Sequence, residues 1–338
     1  MKPFSRMPTM KLLAVPVIDI APFRTGTPAD RQRVAEAVDR ACRDIGFLVI
    51  RGHGVDEALI ERTRAVSRAF FDLPLAEKQR VARPARDVTR GYIGLDEESL
   101  ARSRDPSAYG SDLNESLMIG PVDLPPAAYA QAPAAGKHFA PNLWPQQPAE
   151  LQSIWSDYYR AMGDLACTLM RIFALALKLP EDTFDGKIDR HISRLRVRNY
   201  PAQDTAPAPG QIRAGAHSDY GSLTILATED KPGGLQVCNA DGHWVDVPVV
   251  PGTFIINIGD LMARWTDDAW VSTLHRVVNP PADAGAGSRR QSLVFFHNPN
   301  YDAVISSLAP SDAGGPGKYP PTTSGEHLRQ LFTATQNG

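Results

Sequence analysis

The sequence predicts a mainly β protein with flanking helices, an α+β arrangement, on three observations. Residues 191–300 break into short runs punctuated by Gly, Pro and Asp: SRLRVRNY, SLTILAT, LQV, HWVDV, TFIINI, STLHRVV and RQSLVFFHN. Many short strands divided by turn signals make a sandwich or barrel, a class whose closed antiparallel forms include the jelly roll. Ahead of them lies one long amphipathic helical stretch, and ahead of that a strand–helix alternation. With 338 residues, 43% of them hydrophobic, the chain has ample material for a core.

VPVIDI, from Val15, predicts the first strand. Thr27, with Pro28 in the first turn, opens a helix in which Val34, Val38, Ala41 and Ile45 recur at helical spacing. FLVI predicts a second strand, the two glycines of RGHGV a tight turn, and DEALIERTRAVSRAFF a second helix. On that helix Ile60, Thr63, Ser67 and Phe70 share a face beside Leu59 and Val66. From about Arg83 to Gln147, prolines and small residues predict long surface loops, and loops of that length are often functional. From about Pro148 to Lys178, Leu151, Trp155, Tyr158, Met162, Leu165, Leu169, Phe173 and Ala176 form the continuous stripe of a buried scaffold helix. Pro299 to Gly338 returns to loop and ends in a helix around GEHLRQLF, and no internal repeat is visible. The resulting division is a flexible leader 1–14, an N-terminal α/β cap 15–125, a linker with the scaffold helix 126–190, a β core 191–300, and a C-terminal loop and helix 301–338.

The 36 basic and 38 acidic residues leave a formal charge of -2 and are spread along the chain, which gives nucleic-acid binding no electrostatic support. Cys42, Cys167 and Cys238 are odd in number and far apart, so neither a disulfide framework nor a thiolate zinc site is indicated. The opening residues carry Pro16 and Asp19 within a short apolar run, unlike a signal peptide, and no stretch is long and apolar enough to span a bilayer. These features predict a cytoplasmic protein acting on a small molecule, away from membranes; its oligomeric state is left open.

The sharpest chemical signal is AHSDYGSLTILAT. His217 and Asp219 stand two apart, and extended chain would put an imidazole and a carboxylate on one face. A third ligand must come from another strand, and His275 in STLHRVV is the best candidate. Two histidines and one carboxylate on one face of an octahedral ion leave the opposite positions open, as non-haem iron(II) oxygenases require. Downstream, Arg290 and Ser292 share strand parity, and a guanidinium beside a hydroxyl suits the carboxylate of a co-substrate. His53 reads as structural, and His138, His191, His243 and His327 as solvated or capping; His297 has the wrong parity for the site.

These motifs resemble the isopenicillin N synthase-like family of 2-oxoglutarate/iron(II) oxygenases over nearly the whole length. The N-terminal echoes are VPVIDI, GFLVIRGHGV, FFDLPLAEK, RGYIGL and NESLMIG; those of the β core are RVRNYP, HSDYGSLTIL, GGLQV, WVDVPVVPGTFIINIGDLMARWT, STLHRVVNP and RRQSLVFFHNP. The resemblance implies a distorted double-stranded β-helix, or jelly-roll, core at 191–300, Fe(II) on His217, Asp219 and His275, and 2-oxoglutarate on Arg290 and Ser292. It also implies O2 as a reactant, release of succinate and CO2, and oxidation, first of all hydroxylation, of a small molecule. Tyr200 matches a family tyrosine that reaches the co-substrate, and Arg90, Tyr92 and Phe296 match positions lining the substrate pocket. Desaturation, ring closure or ethylene formation remain open on the same ligands. From other classes, a non-catalytic metal-binding barrel is opposed by the completeness of the motif, and a zinc hydrolase by the absence of a neighbouring general base and of any use for Arg290 and Ser292.

Overall fold

The computed structural model describes residues 14–85, 88–95, 97–101, 110–203, 207–308 and 317–336, so nearly all of the expected leader lies outside the described residues. The N-terminal part contains β1 (Val17–Asp19), α1 (Ala21–Thr25), α2 (Pro28–Asp44), β2 (Phe47–Arg51), α3 (Glu57–Phe71) and α4 (Leu75–Gln79). It continues with β3 (Gly91–Ile93), β4 (Glu115–Ile119) and α5 (Ala127–Ala130). The scaffold helix is α6 (Leu151–Ala176), followed by the short α7 (Asp185–Ile188). Then come β5 (Arg194–Tyr200), β6 (Ala214–His217), β7 (Leu223–Thr228), β8 (Leu235–Cys238), β9 (Trp244–Asp246) and β10 (Phe254–Ile258). The chain closes with α8 (Asp260–Trp265), β11 (His275–Val277), β12 (Arg290–His297), β13 (Val304–Ile305), β14 (Thr322–Thr323) and α9 (Ser324–Gln336).

Helix α2 starts where the sequence signals it. The Thr27 hydroxyl accepts from Asp30 N at 3.3 Å while the Asp30 carboxylate accepts from Thr27 N at 2.8 Å, a reciprocal capping box with Pro28 in the first turn.

Eight strands form the main sheet in the order β1-β2-β10-β7-β12-β5-β4-β3, and four form a second sheet, β6-β11-β8-β9. β1 and β2 run parallel and the other pairs in both sheets antiparallel. Strand alternation divides the main sheet between two cores. Leu48, Ile50, Leu117, Leu195, Val197, Leu223, Ile225, Ile256, Leu293 and Phe295 pack with the apolar stripes of α2, α3 and α6. The opposite face offers Phe47, Val49, Tyr200 and Ile255 to Ala214, Leu235, Val237 and Val277 of the second sheet. Two sheets packed in this way make the double-stranded β-helix, with the helices as an outer layer. The α6 stripe is buried along its whole length, as its period predicts.

One expectation is overturned. Within the stretch read as surface loop from Arg83 to Gln147, β3 and β4 extend the main sheet beyond β5, and all five residues of β4 are buried. ESLMI is short and begins with two polar residues, so its strand character comes from pairing with β5, a partner eighty residues away in sequence.

Candidate metal centre and substrate cavity

His217 ends β6 and His275 begins β11, and antiparallel register places them directly opposite each other, ring centroids 4.3 Å apart. Asp219 is not on a strand: β6 stops at His217, and the carboxylate is carried by the bend that leads into β7. Its position is set by backbone. Asp260 N donates to Asp219 O at 2.7 Å, and Gly259 N donates to Ser222 O at 3.2 Å, stapling the bend to the start of α8. The packing needs glycine, since a Cβ on Gly221 would lie 2.3 Å from His297 O and one on Gly259 2.2 Å from Gly221 O.

Nε2 of His275 lies 3.7 Å and Nε2 of His217 3.9 Å from Asp219 Oδ1, and one ligand atom from each residue falls within 4.8 Å of the others. Nδ1 of His217 is 2.7 Å from Gly215 O and Nδ1 of His275 is 3.1 Å from Thr273 O. Carbonyls only accept, so both Nδ1 atoms carry protons and both Nε2 lone pairs face the carboxylate. Asp219 Oδ2 accepts from Thr224 at 2.6 Å and Asn257 at 2.8 Å, which leaves Oδ1 turned to the histidines. Burial, reinforced by His275, keeps His217 neutral down to about 3. For Asp219, burial pushes the carboxyl upward, but the two imidazoles and the Thr224 and Asn257 hydrogen bonds outweigh it and the group lies below its ordinary value. Two imidazole Nε2 atoms and one carboxylate oxygen converging on one point are the donor set that Fe(II) takes.

Arg290 and Ser292 share a face of β12, as predicted, and Arg290 sits in register with Tyr200 of β5, its guanidinium carbon 5.8 Å from the ring centroid. Both are almost fully buried. The guanidinium donates to Gly233 O and to the Thr228 hydroxyl, which lies 3.5 Å from the Ser292 hydroxyl. Arg290 Nε has no partner, an unmet donor fit for a carboxylate oxygen. Arg290 lines a pocket of about 370 Å³ with Gly234, Leu235 and Asn279 rather than the larger cavity.

That larger cavity, about 780 Å³, has His217 and Asp219 in its wall, with Arg90, Arg194, Arg196, Arg198, Phe296, and Leu328 and Phe332 of α9. Of the predicted pocket residues, Arg90 and Phe296 are there and Tyr92 is not. Tyr92 packs in the helical core and donates its hydroxyl to Glu115 at 2.6 Å. Gly91, at φ +98°, breaks the strand alternation between Arg90 and Tyr92, so the two side chains part, Arg90 to the cavity and Tyr92 to the core. His297 lies outside the centre, with Nδ1 2.7 Å from the Ser222 hydroxyl, and His53 bridges Gly252 O and Val55 N. His191 is not solvated: it stacks on Tyr159, ring centroids 5.8 Å apart, and burial lowers it to about 4.

Sequence reading passed over Thr224, Asn257, Thr228 and the β5 arginines. A signal existed for the last: RLRVRNY alternates three arginines onto one face of a strand, with Leu195 and Val197 between them on the other. Asn257, the lone polar residue in FIINI, was a weaker one.

The fold and site define an iron(II)-dependent oxygenase that uses 2-oxoglutarate. Comparison with known proteins agrees. Residues 15–147 match the family described as non-haem dioxygenase in morphine synthesis N-terminal, and residues 191–299 match the 2OG-Fe(II) oxygenase superfamily. The chain is 32% identical over 332 residues to a homoarginine-6-hydroxylase of Oryza sativa subsp. japonica, covering 94% of this chain and 96% of the relative. It is also 32% identical over 313 residues to validamycin A dioxygenase of Streptomyces hygroscopicus subsp. limoneus, covering 90% and 82%. Among solved structures, a full-length Neurospora crassa protein in complex with α-ketoglutarate (2-oxoglutarate) and thymine superposes with a TM-score of 0.84 at 30% identity, covering 97% of this chain and 99% of that one. The chain belongs to the isopenicillin N synthase-like family of 2-oxoglutarate/iron(II)-dependent dioxygenases.

Proposed function

We propose that His217, Asp219 and His275 hold Fe(II), that Arg290, Ser292 and Tyr200 hold the far carboxylate of 2-oxoglutarate, and that the enzyme hydroxylates a small molecule lodged in the cavity beside Arg90 and Phe296. The observation that carries this reading is the convergence of two Nε2 lone pairs and one carboxylate oxygen, each oriented by a hydrogen bond at its other atom. In the overall reaction one oxygen atom of O2 enters the substrate and the other enters succinate, with CO2 released. Bound Fe(II) supplies the redox chemistry that couples the two oxidations. The chain's own part is positional. Gly215 and Thr273 carbonyls fix the imidazole tautomers, Thr224 and Asn257 fix the carboxylate, and the Arg290 guanidinium orients the co-substrate. Phe296 and the α9 residues Leu328 and Phe332 give the cavity apolar walls that exclude water from the reacting centre. The N-terminal region 15–125 acts as a cap on the catalytic core 191–300, and the reading places the enzyme in the cytoplasm.

Anaerobic titration of the protein with Fe(II) and then 2-oxoglutarate tests it. The ternary complex should develop a weak visible charge-transfer band, and admission of O2 should yield succinate; zinc should inhibit. Metal-dependent hydrolysis supported by zinc, with no band and no succinate, would refute the assignment.

A further inference from the structure

The cavity wall carries more positive charge than its acids balance, and the imbalance is local. Arg194, Arg196 and Arg198 share the cavity face of β5. Arg196 and Arg198 converge on Glu98, with shortest contacts of 2.6 and 3.3 Å, and donate further to Ser116 and Asn114. Burial alone would raise the Glu98 carboxyl, but the two guanidinium groups hold it down at about 2. Those two cations are therefore satisfied. Arg194 is only 7% exposed and, among the described residues, its side chain makes neither a hydrogen bond nor an ion pair; its guanidinium carbon lies 4.7 Å from the Phe332 ring centroid. Arg90, 2% exposed, donates to the neutral acceptors His138 O at 2.6 Å and Thr89 O at 2.8 Å, and its Nε has no partner. Its niche is built around it, because a Cβ on Gly120 would fall 1.7 Å from an Arg90 nitrogen. Burial, followed by repulsion from Arg90, lowers Arg194 to about 9.

A buried cation without a counter-charge is strongly destabilising, and two that repel each other compound the effect, so a compensating anion is the natural occupant. Arg194 also pairs in register with Phe296 of β12, which sets an aromatic wall beside the free guanidinium.

Resting on the oxygenase reading above, we propose that the substrate carries a carboxylate bound by Arg194 and Arg90, with its apolar body against Phe296. Hydrogen bonds to a charged group make the acid bind about 10- to 100-fold more tightly than its uncharged amide.

The probes are matched pairs: phenylacetate and phenylacetamide, 3-phenylpropionate and its amide, hexanoate and hexanamide. Each is titrated anaerobically into the wild-type Fe(II)·2-oxoglutarate complex, so that iron and Arg290 are already engaged. Expected is a preference of at least about tenfold for the acid in one or more pairs, lost in Arg194→Gln and partly kept in Arg194→Lys. Equal binding of acid and amide throughout, or no binding of any acid, overturns the proposal, as does an acid preference that survives both Arg194→Gln and Arg90→Gln. The charge-transfer band of the wild-type complex is read in the same samples. Its absence defeats the oxygenase reading; its presence without acid preference defeats only the carboxylate assignment.

Discussion

Asp219 shows how one side chain is aimed. Its Oδ2 is occupied by Thr224 and Asn257, so only Oδ1 is free to face the two imidazoles. Removing one of these donors leaves every proposed ligand in place but frees the carboxylate to rotate. Asn257→Ala should therefore weaken Fe(II) binding by about 10- to 100-fold while the protein stays folded. Competition against a fluorescent iron chelator, with circular dichroism as the folding control, measures this; unchanged affinity would show that Asn257 does not orient the ligand. Asp219 was legible as a candidate ligand because HxD is a short local pattern. Thr224 and Asn257 were not, because their role exists only once β7 and β10 lie side by side.

At the scale of elements, the site depends on a junction rather than on a strand. The bend after β6 and the start of α8 meet backbone to backbone, with Gly259 where any side chain would collide with the bend. Gly259 has φ -100°, a conformation open to every residue, so an alanine there meets only the steric problem and no backbone strain. Gly259→Ala should push the Asp219 bend away from β11, lowering Fe(II) affinity and thermal stability together although no proposed ligand has changed. A variant with wild-type affinity and melting temperature would contradict the argument. The strands of the β core were readable from period and turn residues. β3 and β4 were not, since pairing with β5 supplies what their short sequences lack.

Across the whole molecule, buried neutral histidines set a response to acid. Burial holds His217 at about 3 and His191 at about 4, and burial with His191 nearby holds His297 well below its ordinary 6.5. In the unfolded chain each titrates near 6.5 and so binds more protons than in the fold below that pH. Stability is then fully present above about 6.5 and falls as pH drops, by about 1.4 kcal/mol per pH unit for each such histidine. Asp112, raised to about 6 by burial, acts oppositely between about 6 and its unfolded value and offsets one of them. Urea midpoints of the metal-free protein at pH 7, 6 and 5 should decline steadily; a flat series would mean that the imidazoles titrate normally. This property escaped the sequence, where His191 read as solvated or capping and only the tertiary structure stacks it on Tyr159.

Local chemistry in the chain determined the strand-rich class, the long scaffold helix, the capped second helix, and the residues able to form a metal centre and grip a carboxylate. Each depends on spacing within a few residues, which period and side-chain type reveal. Tertiary structure decided which atoms converge, that Asp219 comes from a bend, that Tyr92 faces the core, and that Arg194 stands without the acid its strand neighbours share. Those outcomes depend on register between distant strands and on which buried charges find partners, and no short stretch of sequence encodes either.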